Sequence, residues 1–203
     1  MKALIKDPLN IIIAGVGGQG NLRVAEIIGN ALLGEGYQVV IGDTLGGAQR
    51  GGSVTSQIRV SMAVQYGPFI PEGQADVILG MEPIETLRAL ARYGFPGTSV
   101  LTSTRPISSV DLFGKRANYP PVDIIMKHIR ELAGRVWFID AVGEAIAIGK
   151  SVYANMILIG ALLGTGLMPV EDGSIEKQLL ELYGSEAENN LMAFNKGRDM
   201  ITK

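Results

Sequence analysis

Short apolar runs alternate along this chain with longer stretches in which apolar residues recur at helical spacing. Residues 9–14 form an apolar, β-branched run that ends at a glycine, which predicts a buried strand. Apolar residues then recur every three or four positions over residues 22–32, which predicts a helix that stops near Gly34. Residues 37–41 predict a second strand. Together these elements have the strand–turn–helix–strand order of a βαβ unit.

A stretch of regular alternation follows this unit. In residues 53–60, Val54, Ile58 and Val60 share one face with Ser56, and polar side chains occupy the other face. A period of two predicts a strand that is half-exposed or lies at an interface. A further strand is expected over residues 61–66. The sheet is therefore expected to gain a strand or hairpin around residues 53–66.

The rest of the chain returns to an α/β rhythm and ends in helices. Strands are predicted at 75–80, 98–102 and 135–140, and helices at 83–93, 120–133, 141–148, 151–163, 174–183 and 186–201, with a long polar loop at 103–118. We therefore expect a single domain over residues 1–203. Its predicted fold class is α/β: a three-layer Rossmann-like domain with a mostly parallel sheet and a helical C-terminal part.

One uncharged stretch raises the question of a membrane. Residues 151–170 carry no charge and have the length of a spanning helix, but glycines and a proline interrupt them. A buried helix that ends near Gly164 is the better interpretation, so no membrane association is expected.

Composition narrows the class of protein. The chain has 203 residues, 47% of them apolar and only 19% charged, below the roughly 25% charged residues of ordinary soluble domains. This low charge suggests that a partner covers part of the surface. The net charge of −2 makes nucleic acid an unfavoured partner. Because there is no cysteine, disulfides, cysteine-ligated iron–sulfur clusters and thiol catalysis are excluded for this chain, and a cytoplasmic location is expected.

The turn after the first predicted strand is a candidate binding site. It matches the G-x-G-x-x-G pattern, in which a tight turn lets helix amides approach an anion, and it comprises Gly15, Gly17, Gly18, Gln19 and Gly20. Asp43, at the end of the second strand, would be the acidic residue of a dinucleotide site. The alternative is a glycine turn that packs a helix onto the sheet without a ligand.

A second glycine-rich segment joins the second strand to the alternating one. Glycines are costly here unless the backbone must approach something closely, and they flank a permanent cation, Arg50. The residues expected to face substrate or cofactor are Gln49, Arg50, Gly51, Gly52 and Ser53, together with Asn155 from a later helix. The alternatives are a tight connection with a solvated or internally paired arginine, and an Asn155 that caps or bridges backbone.

No catalytic residue and no metal site are assigned. The only histidine, His128, lies between charged neighbours on a predicted helix and is expected to face solvent. The nearest approach to a thiamine diphosphate–metal motif is Glu171-Asp172-Gly173 with Asn189-Asn190. Its spacing is short and its first glycine is missing, so we interpret it as coincidence.

The two glycine motifs together resemble a known family. The Gly15–Gly20 turn, followed about thirty residues later by residues 48–54 (Ala-Gln-Arg-Gly-Gly-Ser-Val), resembles the gamma subunit or gamma domain of 2-oxoacid:ferredoxin oxidoreductases. The closest likeness is to the small (beta) subunit of indolepyruvate ferredoxin oxidoreductases. Further similar stretches are residues 75–79, Glu82-Pro83, 87–88, 104–107, 154–161 and 190–194.

The resemblance implies an accessory subunit in anaerobic metabolism. The complex would oxidatively decarboxylate a 2-oxoacid, indolepyruvate or another aryl pyruvate, to an acyl-coenzyme A with ferredoxin as acceptor. Thiamine diphosphate, Mg and the [4Fe-4S] clusters would belong to a partner subunit, and coenzyme A would be a shared ligand. The isolated chain is expected to be inactive and to be able to form a homodimer. Two alternatives stay open: a stand-alone NAD(P)-binding Rossmann oxidoreductase, and a non-catalytic interaction subunit.

Overall fold

A computed structural model describes residues 2–46, 52–107 and 119–202 of the chain. Within these residues the elements are β1 (Leu9–Val16), α1 (Asn21–Gly34), β2 (Gln38–Leu45), β3 (Ser53–Ser61), β4 (Val77–Gly80), α2 (Pro83–Tyr93), β5 (Ser99–Ser103), α3 (Val122–Leu132), β6 (Arg135–Ile139), α4 (Ala141–Ile148), α5 (Ala154–Gly164), α6 (Asp172–Tyr183) and α7 (Ala187–Thr202). Short 3-10 helices, Ser151–Tyr153 and Gly184–Glu186, precede α5 and α7.

The six strands form one mixed sheet in the order β2-β3-β1-β4-β5-β6. Strands β1, β4, β5 and β6 are parallel, whereas β3 runs antiparallel to both of its neighbours, β1 and β2. Helix α1 and the C-terminal helices cover one face, and α2 and α3 cover the other, each with its own apolar core. The predicted fold class, a three-layer α/β domain with a mostly parallel sheet and a helical C-terminal part, is confirmed.

The alternating segment differs from its prediction in two ways. Strand β3 was expected to be half-exposed or at an interface, but it lies inside the sheet between β2 and β1, and only Ser53, Thr55 and Arg59 of its polar face are partly exposed. The strand expected over residues 61–66 is wrong, because β3 ends at Ser61 and the following residues are irregular. The hairpin is formed instead by β2 and β3, and its connection spans residues 46–52.

Residues 62–70 form no strand and instead cover part of β3. They pass over the polar face of β3 and satisfy its side chains: Gln57 Oε1 accepts a hydrogen bond from the amide of Ile70 (2.7 Å), and the Arg59 guanidinium lies 4.7 Å from the ring of Tyr66. Arg59 Nε also donates to Asn10 Oδ1 of β1 (3.1 Å). Buried polar groups need such partners. An alternating strand can therefore occupy the sheet interior.

Helix α5 lies in the larger core, and every residue from Met156 to Leu163 is buried. It ends at Gly164, as predicted. None of the described helices is both long enough and apolar enough to span a bilayer.

Helices α5 and α7 pack unusually closely, through glycines. A Cβ atom at Gly160 of α5 would overlap the carbonyl of Phe194, and one at Gly197 of α7 would overlap the carbonyl of Ile157. The two backbones therefore touch directly at this crossing, which fixes the position of α5 against α7.

We expect Gly160→Ala to destabilise the chain. Alanine gains about 1 kcal/mol in helix propensity, but overpacking against a carbonyl costs typically about 1–3 kcal/mol, and more where backbone must move. The free energy of unfolding in urea measures the net loss. The matched control is Gly173→Ala in α6, where an added Cβ meets no atom within 4 Å and stability should stay equal or rise. A Gly160→Ala chain as stable as this control would contradict the packing argument.

Candidate functional site

A cleft of about 440 Å3 opens at the carboxyl ends of the parallel strands. Its walls are the glycine turn after β1, residues 103–107 after β5, and the start of α5. The chain turns away in opposite directions here, because the helix after β1 covers one face of the sheet and the helix after β4 covers the other. Such a topological switch point is where open α/β sheets bind ligands.

Two side-chain amides hold the glycine turn in place. Gln19 Oε1 accepts from the amide of Val16 (2.7 Å), and Gln19 Nε2 donates to the carbonyl of Met81 after β4 (2.9 Å). Asn155 Nδ2 donates to the carbonyl of Gln19 (2.9 Å) and so ties α5 to the turn. Asn155 therefore bridges backbone, one of its two predicted roles, and also lines the cleft.

The structure brings the two glycine motifs together. Gly17 donates its amide to the carbonyl of Gly52 (2.8 Å), and Gly46 donates to the carbonyl of Ser53 (2.8 Å), which closes the β2–β3 hairpin. Asn21 Nδ2 adds a bond to the carbonyl of Val54 (3.1 Å). The glycine turn and both described ends of the glycine-rich loop therefore share one edge of the sheet.

The predicted substrate-facing residues do not all line the same cavity. Gln49, Arg50 and Gly51 lie outside the described residues. Gly52 is buried against the glycine turn. Ser53 lines a separate groove beside α2, whereas Asn155 lines the switch-point cleft.

In this topology Asp43 does not lie beside the glycine turn, as the acidic residue of a dinucleotide site would. Asp43 lies on β2, and β3 separates it from the glycine turn, so the two are about two strand spacings, or roughly 10 Å, apart. Its carboxylate accepts from Ser56 Oγ. The amide of Gly17 is occupied by Gly52, and that of Gln19 by Val16 (3.1 Å), so neither amide is free for a phosphate.

A buried acid beside the cleft was missed as a functional candidate. Glu82 is fully buried at the N-cap of α2, where its Oε2 accepts from the amide of Glu85 (3.0 Å). Its Oε1 accepts from the Tyr119 hydroxyl (2.5 Å) and the amide of Ile107 (3.3 Å). Burial raises the pKa of Glu82, although these hydrogen bonds oppose the rise. Burial and the bond to Glu82 raise the pKa of Tyr119. An acid before a proline at a helix start was the available signal, since it marks an N-cap.

The described residues do not fit a thiamine diphosphate–metal site. Asp172 is paired with Arg198, and Asn190 Nδ2 donates to the carbonyl of Glu186 one turn earlier. No three potential metal ligands cluster within residues 2–46, 52–107 and 119–202. His128 is exposed on α3 beside Glu131, as predicted.

The family model and the relatives that match this chain agree with one another. Residues 10–200 match the family model described as pyruvate ferredoxin/flavodoxin oxidoreductase. The chain is 39% identical over 190 residues to indolepyruvate oxidoreductase subunit IorB of Thermococcus kodakarensis, covering 93% of each chain. It is 36% identical over 189 residues to the protein of the same name from Methanothermobacter thermautotrophicus, covering 93% of this chain and 95% of that one.

Solved structures show the same fold. The gamma subunit of keto/oxoacid ferredoxin oxidoreductase from Geobacter sulfurreducens superposes with a TM-score of 0.67 at 23% identity, covering 95% of this chain and 97% of that chain. The 2-oxoglutarate:ferredoxin oxidoreductase from Magnetococcus marinus, with 2-oxoglutarate, coenzyme A and succinyl-CoA bound, gives 0.74 at 22% identity. That match covers 97% of this chain and 31% of the other.

The contact between the glycine turn and α5 can be tested with a matched pair of glycines. Gly18 and Gly20 both have a left-handed backbone, but only a Cβ at Gly20 would meet the Asn155 side chain. Alanine at either position costs about 1–2 kcal/mol of backbone strain. We expect Gly20→Ala to cost about 1 kcal/mol more, because it also disrupts the Asn155 hydrogen bond. Urea unfolding of both variants, with and without Asn155→Ala, measures this. An excess that persists without the Asn155 side chain would contradict the assignment.

Proposed function

The chain belongs to the pyruvate ferredoxin/flavodoxin oxidoreductase family, and we propose that it is the gamma-type accessory subunit of an indolepyruvate:ferredoxin oxidoreductase. Identity of 36–39% over 93% of the chain to subunits named for indolepyruvate carries this proposal. The family resemblance drawn from the glycine motifs is confirmed. The complex would oxidatively decarboxylate indolepyruvate, or another aryl pyruvate, to an acyl-coenzyme A and pass the electrons to ferredoxin.

We assign the redox chemistry to a partner subunit. This chain has no cysteine to bind a [4Fe-4S] cluster, and its acids and amides do not form a thiamine diphosphate–Mg site in the described residues. We therefore expect the isolated chain to be inactive, and any homodimer of it to be inactive too. Residues 1–203 would form one gamma-type domain, located in the cytoplasm, whose working surface meets the thiamine-binding partner.

The working surface is the carboxyl edge of the sheet. Arg105 is the one charged residue among the described residues that line the cleft, and it is exposed. The N-termini of α1 and α5 meet at the same wall, through Gln19 and Asn155, and helix N-termini favour anions. We propose that the cleft receives an anionic group of coenzyme A. The loop that carries Gln49, Arg50 and Gly51 ends at Gly52, whose carbonyl accepts from Gly17 of the glycine turn that walls the cleft, and starts at Gly46 on the same edge of the sheet.

Binding experiments separate this function from a stand-alone Rossmann enzyme. We expect the reconstituted complex to bind coenzyme A and to show no binding of NAD(H) or NADP(H) with a dissociation constant on the order of micromolar. Arg105→Ala should weaken coenzyme A binding about tenfold, the value of one charge-assisted hydrogen bond. Arg135→Ala is the control. Arg135 is the first residue of β6 and so lies at the amino ends of the parallel strands, opposite to the cleft, and its substitution should leave coenzyme A binding unchanged. Micromolar nucleotide binding by the chain alone would favour the Rossmann alternative.

Substitution of Arg50 tests whether the glycine-rich loop serves the chemistry. In the complex we expect Arg50→Ala to lower turnover about tenfold or more, a loss of at least about 1.4 kcal/mol of transition-state stabilisation. The isolated chain should keep its stability, because exposed ion pairs contribute only about 0–1 kcal/mol. Arg50→Lys should recover little, since lysine lacks the planar donor fork. The measurement is 2-oxoacid-dependent reduction of ferredoxin, with Arg135→Ala as control.

Each other outcome of this experiment has a defined meaning. Wild-type assembly and kinetics after Arg50→Ala would refute a role for the loop. Impaired assembly with normal turnover in the remaining complex would favour a pure interaction subunit. An unfolded isolated variant would indicate an internal ion pair.

A further inference from the structure

The buried carboxylate of Glu82 connects three parts of the molecule at the edge of the cleft. It caps α2 through Oε2 and, through Oε1, accepts from Ile107 on one side of residues 108–118 and from Tyr119 on the other. We propose that Glu82 is a positioning residue, which holds the cleft wall at Arg105–Ile107 in the geometry that binds the ligand. The inference rests on the proposed function of the cleft.

The wall has few other attachments near its end. Thr104 donates its amide to the carbonyl of Ile139 (2.9 Å), and the amide of Arg105 reaches Ser103 Oγ (3.3 Å). Pro106 has no amide hydrogen to donate. Among the described contacts, the bond from Ile107 to Glu82 is therefore the one that fixes the wall beyond Arg105.

The Glu82 side of this bond is the rigid one. The carbonyl of Glu82 accepts from both the hydroxyl (2.7 Å) and the amide (3.0 Å) of Thr86. The Thr86 hydroxyl also contacts Thr102 Oγ1 of β5 (2.8 Å). The acid is thus clamped to the sheet, whereas Ile107 is exposed. Glu82 therefore positions the wall, and the wall does not position Glu82.

The polar groups that surround the carboxylate support this role. The described partners of its two oxygens are all donors: the amides of Ile107 and Glu85 and the hydroxyl of Tyr119. A nearby acid, Glu85, turns instead to Arg88 (2.7 Å). A buried charge is stable only when such donors satisfy it. This need keeps Ile107 and Tyr119 together, because both must reach the same oxygen atom.

Two substitutions separate the wall from the helix cap. Serine at an N-cap still accepts from the amide three residues on, so Glu82→Ser keeps the cap but cannot reach Ile107 or Tyr119. Glu82→Gln has the opposite pattern: its carbonyl oxygen still reaches both donors, but its NH2 group faces the amide of Glu85. Glu85→Gln removes a neighbouring buried carboxylate that touches neither residue in the described contacts, and it serves as the control.

The first measurement is hydrogen exchange of the Ile107 amide by NMR on the full chain without ligand. We expect exchange about tenfold faster in Glu82→Ser, the effect of one lost hydrogen bond. Glu82→Gln and Glu85→Gln should exchange like the wild type at this amide. If Glu82→Ser does not fold, Glu82→Asp replaces it, because aspartate caps helices well but its shorter side chain withdraws from Ile107.

The second measurement is coenzyme A affinity of the reconstituted complex. We expect Glu82→Ser to weaken it about tenfold and Glu82→Gln to retain most of it. Equal Ile107 exchange rates in the wild type and Glu82→Ser would overturn the inference. It would also be overturned if Glu82→Gln exchanged the Ile107 amide faster and bound coenzyme A more weakly than Glu82→Ser, because that result would indicate a capping role alone. A wild-type complex that binds no coenzyme A would instead refute the proposed ligand, while the exchange measurement would still decide the role of Glu82.

Discussion

The antiparallel strand β3, inserted between β1 and β2, is the constraint on which the site depends. In an ordinary βαβ unit the second strand lies directly beside the first, and its acidic end faces the glycine turn. Here β3 takes that place along the full length of β1, from Leu9 to Val16. The connection between β2 and β3 is therefore delivered to the carboxyl edge of the sheet. It ends at Gly52, which contacts the glycine turn, and begins one strand further away at Gly46, so both ends lie at the carboxyl edge that forms the candidate working surface.

The same insertion changes what the glycine fingerprint does. The amide of Gly17 is used by the carbonyl of Gly52, so the turn holds the hairpin where a nucleotide-binding protein would hold a phosphate. Gln19 and Asn155 complete the arrangement by tying the turn to β4 and α5. The turn is a structural junction of three elements, and the room for a ligand lies beside it in the cleft. The G-x-G-x-x-G turn therefore binds a carbonyl of this chain through the amide of Gly17, and that amide is not available to a phosphate.

The lining of the cleft matches the proposed binding role. The described lining offers a cation, helix N-termini and amide side chains, which can bind and orient an anion. It offers no assembled metal ligands, and the chain has no cysteine. These groups suit binding and positioning, and the role proposed for the buried Glu82, to fix a wall of the cleft, is of the same kind.

The sequence by itself determined most of the local elements, and the family. Helix α2 and helix α4 have the bounds that periodicity predicted, and α5 ends at the predicted Gly164, because caps, glycines and apolar spacing are local signals. Strand order is not local. The sequence could not show that β3 enters the sheet, that Asp43 is thereby removed from the glycine turn, or that Glu82, Ile107 and Tyr119 meet at one carboxylate. Those facts depend on pairing and burial between distant segments, which only the tertiary structure decides.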